Sequence, residues 1–142
     1  MGKIASKKVE IDGHLFDSQT EAEFYMYLKS RKDVQKIELQ PQFILLDEFY
    51  ISCSKCVDGK VTSTKTGNLI NCKTCKGTGE RKRRSWTYTA DFRVTWIDGI
   101  QMIIDVKGHA NERFPLVKKM FEYKNGYELL VVKKTKRGWE YA

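Results

Sequence analysis

Four cysteines in two pairs constrain the fold of this chain more than any other feature. They follow the spacing Cys53-x-x-Cys56 and Cys72-x-x-Cys75, with fifteen residues between the pairs. Two thiols separated by two residues can bind one ion, and two such pairs supply the four ligands of a tetrahedral Zn²⁺ site. A redox-active pair is the alternative. With no secretion signal evident, the spacing favours structural zinc over disulfides.

Glycines follow both pairs and predict the turns of a zinc knuckle. Gly59, Gly77 and Gly79 permit tight turns in which backbone N–H groups approach thiolate sulfurs. The segment 72–79 resembles half of the zinc-binding repeat of DnaJ-type chaperones. This local resemblance implies a knuckle geometry and no chaperone function.

The length and charge of the chain indicate its organisation and the kind of partner it binds. At 142 residues, we expect a single domain over 1–142 with a zinc-binding module inserted at 52–84. Lys and Arg outnumber Asp and Glu by 26 to 18, which favours an anionic partner such as nucleic acid, although a merely soluble protein can have the same balance. The module ends in a cationic run that is either a phosphate contact or a solvated surface: Arg81, Lys82, Arg83 and Arg84.

Nothing in the sequence predicts a membrane span. The longest wholly apolar runs are about four residues, against the ~20 that a spanning helix needs. The start Met1-Gly2, with Ser6, formally fits a myristoylation pattern that we attribute to chance. We therefore expect a cytoplasmic protein.

The pattern of apolar residues predicts an α/β (α+β) fold with a mixed sheet flanked by helices. A hairpin turns at Asp12-Gly13, and a helix begins after Ser18 with Glu21 in a capping-box position. Further along we expect extended segments at 34–39, 43–51, 86–96 and 101–107, a helix at about 112–124, a strand at 127–133 and an edge strand at 138–141. The segments 86–96 and 101–107 should form an antiparallel hairpin.

The run Ile104-Asp105-Val106-Lys107 places two opposite charges on one face of a strand, because residues i and i+2 point the same way. Taken alone, this pattern is typical of an ion pair at a strand end. The predicted hairpin, however, brings Asp91 close to Asp105, and Glu21 lies near a helix start. Carboxylates that converge repel one another, which favours a bound Mg²⁺ or Mn²⁺.

Such a site suits the hydrolysis of a phosphodiester. A divalent ion polarises a phosphoryl oxygen and lowers the pKa of bound water, and Lys107 is placed to orient that water or to stabilise the transition-state charge.

The sequence resembles the PD-(D/E)XK nuclease superfamily, and more closely a group of small phage endonucleases related to Holliday-junction resolvases. The resemblance covers most of the chain outside the cysteine insert. It rests on these segments: Phe16-Asp17-Ser18-x-x-Glu21-Ala22, Leu39-Gln40-Pro41-x-Phe43, Tyr88-x-Ala90-Asp91-Phe92, Asp105-Val106-Lys107-Gly108 and Lys118-Lys119-x-Phe121.

The resemblance implies a restriction-endonuclease-like αβββαβ core with a zinc-ribbon insertion. It further implies that Asp91, Asp105 and the Val106 carbonyl bind the metal, that Lys107 is catalytic and that Glu21 contributes. Two departures are Ala90, where the superfamily has proline, and Asp105, which replaces the commoner glutamate. Both are tolerable, because aspartate keeps the carboxylate and the proline has no chemistry.

Several residues have a simpler structural interpretation. Glu21 is either catalytic or only a helix cap, and in the latter case Glu23 takes its place. Asp17 is expected at the helix start, and His14 and His109 at surface or hairpin positions.

Together with the resemblance, these observations predict a Mg²⁺-dependent endonuclease acting on DNA, and the resemblance implies branched DNA as the favoured substrate. Lys118 and Lys119 join the cationic run as expected DNA contacts. A junction substrate implies a homodimer, since two strands must be cut, and a phage protein would act in the host cytoplasm. The alternatives are a zinc-ribbon DNA-binding or recruitment module with an inert core, and a nuclease for linear duplex ends or flaps.

Overall fold

A computed structural model of the protein describes residues 7–107 and 114–141. The fold is mixed α+β, with two helices and many strands. The chain divides into two units, one drawn from Met1–Phe43 and Tyr88–Ala142 and the other from Ile44–Thr87. In chain order the elements are β1 (Val9–Ile11), β2 (His14–Phe16), α1 (Gln19–Ser30), β3 (Val34–Leu39), β4 (Gln42–Leu46), β5 (Phe49–Ser52), β6 (Lys60–Thr62), β7 (Leu69–Asn71), β8 (Glu80–Arg83), β9 (Trp86–Thr89), β10 (Phe92–Trp96), β11 (Gln101–Val106), α2 (Phe114–Asn125), β12 (Leu129–Thr135) and β13 (Gly138–Tyr141).

A five-stranded mixed sheet forms the centre of the first unit, in the order β13-β12-β11-β10-β3. The predicted hairpin of β10 and β11 is confirmed, with Phe92 opposite Ile104. Strands β11 and β12 are parallel, and α2 lies between them in the chain, whereas the other pairs in this sheet are antiparallel. The sequence prediction of a mixed sheet is therefore confirmed.

The first hairpin and the first helix form where local sequence signals predict them. Asp12 and Gly13 have φ values of 53° and 78°, which an Asp-Gly turn between short strands accommodates. Ser18 caps α1, and its hydroxyl accepts a hydrogen bond from the Glu21 backbone N–H at 3.1 Å. The cap ends the hairpin and fixes the start of the helix.

Both faces of the central sheet are buried. The α1 side chains Phe24 and Leu28 are fully buried in a core that includes Phe92, Ile104 and Val132. Alternate positions of the same strands point to the other face, where Ile103, Leu129 and Val131 are also buried. On α2, Phe121 is buried among three aromatic rings, those of Phe43, Tyr88 and Tyr127.

The second unit consists of β-ribbons around the cysteines. Strand β5 pairs with β8, and β6 pairs with β7. The two cysteine pairs therefore lie between the β5–β8 ribbon and the β6–β7 hairpin in the chain. Strands β4 and β9 form a further two-stranded ladder at the points where the chain passes from one unit to the other.

The structure differs from several predicted element bounds. The expected strand at 43–51 is two strands with a break at Asp47-Glu48. The expected strand at 86–96 breaks at Ala90-Asp91, because Ala90 and Asp91 hydrogen bond to the backbone of Pro41 and Gln40. The last long strand covers Leu129–Thr135 instead of 127–133. The predicted start of the second helix at 112 lies outside the described residues. Neither described helix is long and apolar enough to cross a membrane.

Candidate functional site

The four cysteine sulfurs form a compact cluster in the second unit. All four sulfurs lie within 4.8 Å of one another, and the thiols are free. Cys53 Sγ is 4.0 Å from Cys72 Sγ, and Cys56 Sγ is 3.7 Å from Cys75 Sγ. Zn–S bonds of about 2.3 Å at tetrahedral angles place sulfurs about 3.8 Å apart. The cluster can therefore bind a zinc ion without rearrangement of its backbone.

Backbone N–H groups approach the sulfurs, as the positions of the glycines predict. Burial opposes ionisation of the Cys75 thiol, but hydrogen bonds from Gly79, the Cys56 thiol and Gly77 lower its pKa to about 6. Burial raises the pKa of the Cys56 thiol to about 12, and neighbouring thiols contribute to the rise. The protein thus favours some of these thiolates and disfavours others, and only a bound cation can stabilise four together.

The two cysteine pairs are joined by reciprocal backbone contacts. The Cys53 N–H donates to the Gly79 carbonyl and the Cys72 N–H donates to the Gly59 carbonyl, both at 2.8 Å. At Gly59, an added Cβ would lie 2.3 Å from the Gly77 carbonyl oxygen. The close approach of the two knuckles therefore requires glycine at position 59.

Three carboxylates approach one another at the end of the central sheet in the first unit. Asp91 lies just before β10, Asp105 near the end of β11 and Glu21 in the first turn of α1. The Asp91 carboxylate accepts a hydrogen bond from the Val106 backbone N–H at 2.7 Å, and this bond holds it against β11. The structure therefore brings together three residues that are separated by up to 84 positions in the chain.

Burial and mutual repulsion favour the protonated forms of these carboxyl groups. Burial raises the pKa of Asp91 to about 9, and the negative charges of Asp105 and Glu21 add to the effect. Burial likewise raises the pKa of Asp105, although Asp91, Tyr88 and Lys107 oppose the rise. Such a set of acids attracts either protons or a cation.

Glu21 is only partly explained as a helix cap. Burial raises the pKa of its carboxyl group, with a further contribution from the charge of Asp17, whereas the Asp17 backbone N–H and the Asp91 carboxyl group lower it. Its carboxylate is thus within reach of Asp91, while its backbone N–H completes the Ser18 cap. The predicted substitute, Glu23, is ion-paired with Lys134.

Lys107 lies directly after β11 and packs against α2. Its ammonium nitrogen is 3.6 Å from the centre of the Phe114 ring, a cation–π contact. Burial lowers the pKa of Lys107, and the positive charges of Lys133 and Lys118 lower it further against the attraction of Asp105. The cation is therefore oriented by an aromatic ring beside the carboxylates.

Tyr88 also lies at this site, although no functional role was predicted for it from the sequence. Its hydroxyl is buried and makes no hydrogen bond of normal geometry within the described residues. It nevertheless lies close enough to Asp105 for that carboxylate to raise the pKa of the phenol, which burial raises most. The signal was available, since Tyr88 lies three residues before Asp91 in one of the segments of the resemblance.

A cavity of about 240 Å³ opens beside Glu21 and Asp91. Its lining includes His14 and Gln40, and Gln40 has a left-handed φ of 50°. The backbone N–H of Gln40 donates to the Asp91 carbonyl at 3.0 Å. The strained Gln40 therefore helps to position the backbone of Asp91. His14 is exposed and contacts the Tyr25 ring edge-on.

The predicted DNA contacts fall into two groups. The cationic run lies in and just after β8, where Lys82 is paired with Glu48 at 2.9 Å. On α2, Lys118 lies near Glu122 and Glu128, while Lys119 is exposed. Of these α2 lysines, only Lys119 presents a charge that is not shared with described carboxylates. His109 lies outside the described residues.

The protein belongs to the mixed α+β class and consists of two units, one of which contains a four-cysteine cluster. It belongs to the family described as "Protein of unknown function (DUF1064)", whose model matches residues 1–141. Searches of the curated proteins and of the solved structures found no match.

Proposed function

We propose that this protein is a metal-dependent DNA endonuclease of the PD-(D/E)XK type, with branched DNA as its favoured substrate. The observation that carries the proposal is the approach of Asp91, Asp105 and Glu21 at the end of a buried sheet, with the pKa of Asp91 raised to about 9. A structural ion pair does not need three acids around one cation. A strongly raised pKa of a half-buried carboxyl group beside other acids is typical of functional sites.

The order of elements supports a restriction-endonuclease-like core. The two helices and four of the five strands of the sheet follow one another as α1, β3, β10, β11, α2 and β12, which is αβββαβ once the second unit and the strands outside this series are set aside. The carboxylates and Lys107 lie at the open end of the β10–β11 hairpin, away from its turn. The resemblance implies catalytic residues at this position.

The donors beside the carboxylates fit a hard divalent ion. Asp91 and Asp105, with the Val106 carbonyl, would hold Mg²⁺ or Mn²⁺, and water would complete the coordination. When bound, the ion supplies a Lewis acid that stabilises charge on a phosphoryl oxygen. Asp91 contributes through the carboxylate that the Val106 N–H orients.

The remaining side chains act on protons and on charge. Lys107, fixed by the Phe114 ring, presents an ammonium group that can stabilise the negative charge of a phosphoryl transition state. Its lowered pKa also suits it to orient a water molecule. Glu21 and Tyr88 lie close enough to the two aspartates to influence their ionisation.

The basic composition supports DNA as the substrate, with phosphate contacts from Arg81, Arg83, Arg84 and Lys119. A branched substrate requires two active sites and hence a homodimer. If the protein is phage-encoded, it acts in the cytoplasm of the host. The four cysteines would hold a structural zinc ion, because the close approach of their sulfurs suits tetrahedral coordination.

A cleavage panel tests the proposal. Four-way junction, flap, duplex and single-stranded DNA of shared sequence are incubated with the protein, with Mg²⁺ added and with Mg²⁺ omitted. We expect Mg²⁺-dependent cuts, most rapid in the junction, and at least a 10²-fold loss of rate for Asp105→Ala with DNA binding retained. Equal cutting of all four substrates would remove the preference for branched DNA.

One observation favours a second candidate, a non-catalytic zinc-ribbon module for DNA binding or recruitment. Within the described residues, only the cysteines bring three or more metal-binding side chains within 4.8 Å of one another. If the wild-type protein binds DNA but cuts none of the four substrates with Mg²⁺ or Mn²⁺, this second function replaces the first.

A further inference from the structure

The second unit contains most of the excess positive charge of the protein. Between residues 44 and 87 the sequence has nine Lys and Arg residues and four Asp and Glu residues, against 26 and 18 in the whole chain. A zinc ion bound by four thiolates adds a net charge of about −2 and leaves this unit basic. Its surface therefore attracts anions.

The pairing of β5 with β8 places aromatic rings and cations on each of the two faces of the ribbon. Phe49 lies opposite Arg83, Tyr50 opposite Lys82 and Ile51 opposite Arg81. Opposite residues share a face, and successive residues alternate between faces. The arginine face of the ribbon carries Phe49, Ile51, Arg81 and Arg83. The lysine face carries Tyr50, Ser52, Glu80 and Lys82.

The two faces differ in the charge that they leave unneutralised. Lys82 is paired with Glu48 at 2.9 Å, and Glu80 lies on the same lysine face. On the arginine face, Arg81 and Arg83 make no ion pair with any residue in the described ranges. The arginine face thus combines an apolar ring with two guanidinium groups that have no ion pair among the described residues, of which Arg83 is exposed and Arg81 half-buried.

The ring of that face is accessible. Phe49 is 42% exposed, and Tyr50 on the other face is 59% exposed. A partner that uses both an aromatic ring and arginines must offer a flat apolar surface beside negative charge. Single-stranded DNA does so, because its unpaired bases stack on aromatic rings while its phosphates bind Arg. Duplex DNA hides the faces of its bases.

We propose that the arginine face of the β5–β8 ribbon binds single-stranded DNA. Phe49 stacks on an unpaired base, and Arg81 and Arg83 hold the flanking phosphates. This inference rests on the proposed function in taking DNA as the partner. It adds that the second unit recognises unpaired nucleotides, such as those at the centre or ends of a branched structure.

The test is fluorescence anisotropy with a labelled single strand of about 20 nucleotides and the corresponding duplex, with the zinc-loaded full chain and no added Mg²⁺. We expect Phe49→Ala to weaken single-strand binding about tenfold, since one stacked base contributes about 1–3 kcal/mol. Phe49→Trp should retain it. Tyr50→Ala, the matched control on the lysine face, should stay within about twofold, and so should duplex binding by Phe49→Ala.

Salt dependence tests the two arginines separately. For Arg81→Gln with Arg83→Gln, the slope of log K against log salt should fall by about 1.4, because each phosphate contact to a single strand contributes about 0.7. Zinc content equal to wild type excludes loss of folding in each variant. An unchanged slope would remove the arginines from the interface.

Three results would overturn the inference: Phe49→Ala within twofold of wild type, equal losses for Phe49→Ala and Tyr50→Ala, or an equal loss on duplex DNA. The outcome is separable from the nuclease proposal. A protein that binds single strands through Phe49 but never cuts contradicts only the nuclease. One that cuts with Mg²⁺ and ignores Phe49→Ala contradicts only this interface.

Discussion

The cluster of four cysteines and the carboxylate cluster (Glu21, Asp91 and Asp105) both bring acidic groups close together. Their surroundings affect the ionisation of these groups in different ways. Both gather groups that become negative on ionisation. In the cysteine cluster, backbone N–H groups donate hydrogen bonds to the Cys75 sulfur, and the pKa of Cys75 falls to about 6. The aspartates receive fewer such donors, and the pKa of Asp91 rises to about 9. The surroundings of the first cluster therefore favour ionisation of Cys75 and oppose that of Cys56, whereas those of the second oppose ionisation of its carboxyl groups.

The largest effect should follow from removal of one thiol. Cys53→Ala leaves three ligands and a cavity in a small unit with little apolar core. Because structural zinc sites contribute much of the folding energy of such units, we expect loss of zinc and unfolding of residues 44–87. Zinc content by atomic absorption and protease cleavage within this segment measure the effect.

Ser54→Ala, a change of the exposed neighbour of Cys53, is the control and should behave as wild type. Full zinc content in Cys53→Ala would show that the four sulfurs are not the ligand set.

Two glycine substitutions separate the effect of the close approach between the knuckles from the effect of a left-handed φ alone. At Gly59, φ is +84° and an added Cβ would lie 2.3 Å from the Gly77 carbonyl oxygen. Gly67 has a φ of +74° with nothing within 4 Å. We expect Gly59→Ala to destabilise the second unit by about 2–4 kcal/mol and Gly67→Ala by about 1–2 kcal/mol. Urea unfolding followed by zinc release measures both, and equal effects would contradict the close contact.

The two clusters also differ in how far sequence could predict them. The four cysteines lie within 23 residues, and their turns follow from nearby glycines, so local spacing was sufficient to predict the cluster. The carboxylates come from three distant segments, and their approach depends on the register of β10 against β11 and on the packing of α1. The hairpin was predictable from alternation. The break at Ala90-Asp91 and the buried Tyr88 hydroxyl depend on tertiary contacts that a local pattern does not encode.

For the carboxylate cluster, removing the ionisable group of Asp91 should stabilise the metal-free protein. Asp91→Asn keeps the shape of the side chain and removes the ionisable group with the pKa of about 9. We expect the free energy of unfolding at pH 7.5, without divalent ions, to rise by about 1–3 kcal/mol. Urea denaturation measures this change, with Glu10→Gln at an exposed strand position as the control.

The pH dependence has a definite sign. The folded protein holds the Asp91 proton to about pH 9, while the unfolded chain releases it near the ordinary pKa of 3.8. The contribution of this group to stability is therefore fully present below that value and is lost as the pH rises towards 9. Asp91→Asn should flatten this decline. A decline of equal steepness in the variant would assign the effect to other groups.

The smallest effect on stability should come from Tyr88→Phe. The buried hydroxyl has no hydrogen bond of normal geometry within the described part of the chain, so its removal leaves no broken bond. We expect the free energy of unfolding to change by less than about 1 kcal/mol. If the hydroxyl positions Asp105, Mg²⁺-dependent cleavage should nevertheless slow. Thermal unfolding and cleavage rates on one preparation separate the two effects, and a larger loss of stability would contradict the account of Tyr88.

The most direct test of the carboxylate cluster as a cation site is a Mn²⁺ titration followed by electron paramagnetic resonance, which counts bound ions without reference to activity. The zinc-loaded wild-type protein should bind Mn²⁺, and Asp105→Asn should lose that binding while keeping its four-cysteine zinc. Absence of Mn²⁺ binding by the wild-type protein, or equal binding by Asp105→Asn, would contradict the assignment.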